Sequence, residues 1–162
     1  MKTLIKNIVI ALCMFTATTL QAQNLIQFKE NNKVGFKDQN GKVVIVAKYE
    51  IAEDFSEGLA CVSLNDKWGF IDETGKVVIP FMYNSGYGTG SKFSQGLASV
   101  SIDDKYGYID KTGKTVIPFE YNEAWDFNNK KNYDGTPKIV AHVRKGSDEF
   151  CIDKTGKRIR CW

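Results

Sequence analysis

The chain repeats itself, and the repeat unit is too short to fold alone. Residues 67–83 read KWGFIDETGKVVIPFMY and residues 105–121 read KYGYIDKTGKTVIPFEY, an offset of 38. FSEGLACVS (55–63) and FSQGLASVS (93–101) share that offset. An earlier copy, KVGFKDQNGKVVIVAKY, occupies 33–49, and a degenerate last copy, EFCIDKTGKRIRCW, occupies 149–162. Four blocks, approximately 24–54, 55–92, 93–127 and 128–162, therefore tile everything past the first two dozen residues. Fixed-period self-similarity of this length points to a tandem array in which each unit covers its neighbour.

Each copy reads as three short strands. Leu59–Leu64 alternates and is bounded by Gly58 and the Asn65-Asp66 turn, Trp68–Asp72 is aromatic and β-branched, and Val77–Phe81 is β-branched around Pro80. Asp72-Glu73-Thr74-Gly75-Lys76 suits a three-residue hairpin loop, a type I turn followed by a residue at positive φ, which Gly75 adopts without steric cost. Gly41, Gly113 and Gly156 hold the same place. Connections this short force antiparallel neighbours, and nothing past the leader shows sustained helical periodicity. The expected class is all-β: about four three-stranded antiparallel meanders, stacked as an open curved array or propeller-like.

The turn sets an expected register. With Asp72 facing Lys76, Ile71 faces Val77, Phe70 faces Val78 and Trp68 faces Pro80. Period two then puts Ile71, Val77 and Ile79 on one face with Ala60, Val62 and Leu64, and Trp68, Phe70 and Val78 on the other with Cys61. Both faces are apolar, so each sheet must lie between two others. In the last copy Arg158 and Arg160 replace Val77 and Ile79, while Cys151, Ile159 and Cys161 keep the second face apolar. A face turned polar reads as the cap of an open stack.

Lys67-Trp68-Gly69-Phe70-Ile71-Asp72, followed by Thr74-Gly75-Lys76-Val77-Val78-Ile79-Pro80, resembles the WG repeat family, also called KWG repeats. The upstream Gly58-Leu59-Ala60 fits the same pattern. The second full copy has Tyr106-Gly107 in place of the name-giving pair, the first has Val34-Gly35 and the last Glu149-Phe150. The resemblance implies an all-β tandem array, often found in exported or envelope proteins of bacteria, and no shared enzymatic activity. Trp68, Gly69, Gly75, Tyr106, Gly107 and Gly113 are the structural positions of the repeat.

Residues 1–22 look like a secretory leader. Lys2 and Lys6 precede an apolar run from Ile8 to Phe15, and a mostly small or polar stretch ends at Ala22. Cys13 lies inside the apolar run after Leu12, so ordinary export is expected rather than lipidation. Removing the leader leaves 20 basic against 19 acidic side chains, a formal charge of +1. A body so nearly neutral offers no electrostatic case for nucleic acid or an anionic membrane as partner. Any membrane encounter is expected through targeting alone.

Candidate chemistry is sparse. His142, the single histidine, sits in an alternating strand with no nucleophile or acidic motif beside it, so no catalytic residue is expected. Asp72, Asp110 and Asp153 each supply one carboxylate near a lysine, which fits capping of their own turns better than calcium. Cys61 reads as a small buried apolar residue. Cys151 and Cys161 point to one face of the last hairpin as diagonal neighbours, a marginal but feasible disulfide once the chain is exported. No cysteine has zinc spacing, and no metal or cofactor is expected. Tyr87, Trp125 and Tyr133, in the long connections, are the freest aromatics and the candidate binding residues. The expected function is a non-enzymatic protein-binding or scaffold module of the bacterial envelope or exterior, with carbohydrate or cell-wall binding through those aromatics as the alternative.

Overall fold

The computed structural model describes residues 24–84, 91–131 and 136–161. The leader expected over 1–22 lies outside them, as do Tyr87 and Tyr133. Among the described residues the chain is all-β, with four small antiparallel sheets and no closed barrel or propeller. The first sheet is β1 (Ile26–Glu30), β2 (Lys33–Lys37) and β3 (Val43–Tyr49), the second β4 (Leu59–Leu64), β5 (Lys67–Asp72) and β6 (Val77–Tyr83), and the third β7 (Leu97–Ile102), β8 (Lys105–Asp110) and β9 (Thr115–Tyr121). All three are meanders in chain order.

The fourth sheet differs from the expected meander. It contains β10 (Glu123–Ala124), β11 (Asn128–Lys131), β12 (Pro137–Lys145), β13 (Asp148–Ile152) and β14 (Arg158–Ile159). β12, nine residues long, has room for two partners on one edge: β11 pairs its start, with Asn128 opposite Val140, and β10 pairs its end, with Glu123 opposite Arg144. β13 takes the other edge.

The hairpin loops are built as their residues dictate. Asp72 Oδ1 accepts hydrogen bonds from Thr74 N (2.9 Å), Thr74 Oγ1 (2.6 Å) and Lys76 N (3.0 Å), and Gly75 sits at φ 85°. The same three bonds recur at Asp110 and Asp153. From the second sheet on, the loop glycine also lies against the isoleucine of the preceding layer: a Cβ at Gly75 would stand 3.2 Å from Ile45 Cγ1, at Gly113 3.4 Å from Ile79 Cγ2, and at Gly156 3.3 Å from Ile117 Cγ2.

The register of the third strand corrects the sequence reading. Ile71 does face Val77, but Phe70 faces Ile79 rather than Val78, and Trp68 faces Tyr83 rather than Pro80, across two irregularities. The third sheet repeats this, with Tyr108 opposite Ile117 and Tyr106 opposite Tyr121. The cause is the second residue of the Trp-Gly pair. A Cβ on Gly69 would lie 2.7 Å from Ile79 O and 3.0 Å from Pro80 C, so the bare glycine lets the bulged strand close onto β5. Gly35 and Gly107 make the same approach. The bulge delivers Ile79 to the Trp68–Phe70 face, while Val77 and Val78, expected inside, remain 42% and 37% exposed at the free edge.

Three cores join successive layers. Val34, Phe36, Ile45 and Tyr49 of the first sheet meet Ala60, Val62 and Ile71 of the second. Cys61, Trp68, Phe70 and Ile79 meet Ala98, Val100 and Ile109. Tyr108, Ile117 and Tyr121 meet Ala141, Val143 and Ile152. A connector phenylalanine plugs each: Phe55 on Phe36, Phe93 on Phe70 and Phe127 on Tyr108, with ring centroids 4.9 Å apart every time. The cap is the reverse of the expected one. Ile152, Ala141 and Val143 pack inward, and the polar change falls on the forward face, where Glu149, Cys151 and His142 hold the places of Trp68, Phe70 and Cys61. On that face Glu149 is exposed and His142 partly so, while Cys151 is fully buried. Arg158 lies instead over the Phe150 ring, 4.3 Å from its centroid.

Candidate functional site

The connectors decide where a site can form. Each adds a short stretch to the outer edge of the next sheet's first strand: Glu53 N donates to Cys61 O (2.8 Å), Asn84 N to Ser101 O (2.9 Å), Asn122 N to Arg144 O (2.7 Å) and Trp125 N to His142 O (3.0 Å). The last of these carries residues 123–126 back past the junction of the second and third sheets. A groove of about 400 Å³ opens there. Trp68 and Tyr83 line it from the second sheet, Ser99 and Ser101 from the third, and Trp125 and Asp126 from the connector.

Trp125 is held by its backbone and offered by its side chain. Its N–H is tied to β12, its carbonyl accepts from Tyr108 Oη at 2.8 Å, and the residue is 46% exposed. This is the rigid, amphipathic ring that recognition surfaces favour. Next to it, burial pushes the Asp126 carboxyl above the usual aspartate range, Lys92 opposes that shift, and Glu53 adds to it. Glu123 is engaged with the Arg144 guanidinium. Ser91 Oγ, also in the lining, is buried without a hydrogen-bond partner among the described residues.

The groove offers stacking surface, hydroxyls and a carboxylate. Burial pushes the Cys61 thiol up to about 12, so it stays protonated at neutral pH and is a poor nucleophile. His142 lies on the forward face of the fourth sheet, directly opposite Cys151, which is bridged to Cys161 with Cα atoms 5.1 Å apart.

The scan against family models places the architecture. The model described as WG containing repeat matches residues 35–68, 68–106 and 106–131. The chain belongs to that family. The first two matched stretches run from one Trp-Gly position to the next, so the WG unit spans a layer junction rather than a single sheet. No curated protein and no solved structure matches the chain.

Of the three candidate binding residues, the structure places Trp125 in the groove, and Tyr87 and Tyr133 lie outside the described residues. The other lining groups escaped the sequence reading. Tyr83 and Tyr106 recur with the WG repeat and read as structural, yet both also line the groove. Asp126 had one available signal: an acid between two aromatic residues, Trp125 and Phe127, in a connector.

Proposed function

We propose that this WG repeat protein is an exported, non-enzymatic binding module whose groove between the second and third sheets takes a segment of a protein partner in the bacterial envelope or outside the cell. One observation carries the reading: a half-exposed tryptophan on a tethered backbone stands at a concave site floored by the repeat's own aromatic rings. Stacked layers supply the stiffness that keeps such a ring in place, so little ordering entropy is lost on binding. Export is supported by the leader-like sequence of residues 1–22 and fits a disulfide-bridged final layer.

The test is cross-linking in envelope extract with the wild-type chain and the Trp125→Ala chain. A partner recovered with the first and lost with the second is expected, because a central aromatic anchor is worth about 2 kcal/mol or more, roughly thirtyfold in affinity. A partner held equally by both chains would refute the groove. Ser99, Ser101 and Asp126 beside an exposed indole also suit a sugar. Retardation by insoluble polysaccharide with quenching of tryptophan fluorescence would put the glycan in place of the peptide.

A further inference from the structure

The forward face of the last layer brings together three side chains that the sequence spaces apart. His142 on β12 is the direct register partner of Cys151 on β13, and Cys161 returns just after β14. One donor atom from each, an imidazole nitrogen and two sulfurs, lies within 4.8 Å of the others. Glu149, two residues before Cys151, brings a carboxylate oxygen to 3.9 Å from His142 Nδ1. The spacing of nine residues and then ten does not resemble a zinc motif, because the sheet rather than a knuckle assembles the set.

We propose that this disulfide closes a soft-metal site, and that reduction opens it to bind one Zn²⁺ or Cu⁺ through Cys151, Cys161 and His142. Two thiolates and an imidazole are the donors such ions prefer. Zn–S bonds of about 2.3 Å at the tetrahedral angle put two sulfurs roughly 3.8 Å apart. The sulfurs must therefore separate by only about 1.8 Å from an ordinary disulfide's bonded distance. Cys161 lies outside the strands and is only partly buried, so it can make that move. Cys151 is fully buried and His142 is set by its strand, which leaves two donors already placed. Glu149 or a water completes four-coordination.

The chemistry balances with a dithiol as reductant. The dithiol passes two electrons and two protons to the Cys151–Cys161 bond and becomes a disulfide itself. Each freed thiol then loses its proton to solvent as its sulfur bonds the metal, so binding one Zn²⁺ releases two protons. Cys61 takes no part, since it is buried in the junction of the second and third sheets.

The experiment uses the full chain, oxidised or reduced, with reductant removed under argon before Co²⁺ and then Zn²⁺ are titrated. Reduced protein is expected to take one Co²⁺ with a thiolate-to-cobalt charge-transfer band, and Zn²⁺ to displace it. Oxidised protein should show no such band. Cys61→Ser should titrate like wild type, and His142→Ala should bind at least tenfold more weakly. Zn²⁺ should also raise the melting temperature of reduced but not oxidised chain, which reads the site without any substitution. Equal binding by His142→Ala and wild type, no charge-transfer band in the reduced chain, or a reduced chain that unfolds and is not rescued by Zn²⁺ would each overturn the proposal.

Discussion

Replacing Gly69 with alanine tests the reason for the Trp-Gly pair. Gly69 does not sit at positive φ, so alanine meets no backbone penalty there. Ordinarily such a change in a strand is favourable, by about 0.4–1 kcal/mol, because alanine restricts the unfolded chain. Here the new methyl would meet Ile79 O at 2.7 Å, Pro80 C at 3.0 Å and Phe81 N at 3.1 Å, all backbone atoms of the bulge. Backbone cannot rotate aside as a side chain can, and overpacking of this kind costs about 1–3 kcal/mol. The net expectation is a loss of about 1–2 kcal/mol, or roughly 4–8 °C in melting temperature for a domain of this size. Urea titration followed by tryptophan fluorescence and by circular dichroism measures it. Gly41→Ala is the control, since φ there is 84° but no atom lies within 4 Å of the added carbon, leaving strain without a clash. A Gly69→Ala chain as stable as wild type, or more stable, would refute the close-approach argument and with it the account of the bulge.

Phe93→Ala removes the plug of the middle core and should cost about 3–5 kcal/mol by urea unfolding. Asp126→Asn should stabilise the chain at neutral pH. Burial raises that carboxyl's folded pKa, so the wild-type group favours folding only while protonated and loses that contribution as pH rises through the folded value; the difference between the two chains should vanish in acid. The signs reverse at Asp72 and Asp153, whose turn hydrogen bonds lower the folded pKa against the opposing pull of burial. Their contribution is present above the unfolded aspartate pKa and is lost as pH falls through the folded one, so Asp72→Asn should flatten the acid limb of a stability–pH profile. Cys161→Ser opens a loop with a sequence separation of 10 and should lower stability by roughly 2.5–3 kcal/mol on the loop-entropy scale.

Layering was legible in the sequence because it follows from a single conflict. A three-stranded sheet with Ile71 on one face and Phe70 on the other cannot be wetted on either, and both residues are fully buried between layers. The turns were legible because Asp72 and Gly75 admit few conformations. The third strand was not. Period two extrapolated from the turn fails once a bulge intervenes, and the bulge depends on contact between Gly69 and a strand eight or more residues on. The cap is illegible for the same reason: Arg158 and Arg160 align with Val77 and Ile79, which share a face only where no bulge intervenes, and Ile79 crosses to the other. The groove was beyond sequence reasoning because its walls come from two sheets and a later connector, with only Trp125 announcing itself.

The connector phenylalanines bear on how such a chain can change length. Phe55, Phe93 and Phe127 each close the seam behind the sheet just completed, and the loop glycine of the following sheet seats on that sheet's isoleucine. Every seam is thus mated by the same two pieces. Duplicating or excising a whole block such as 55–92 would leave all remaining seams complete, whereas a cut through the middle of a block would strand a plug without its socket. The natural unit of growth is one layer, and a gene able to slip by that unit would lengthen or shorten the stack one whole layer at a time.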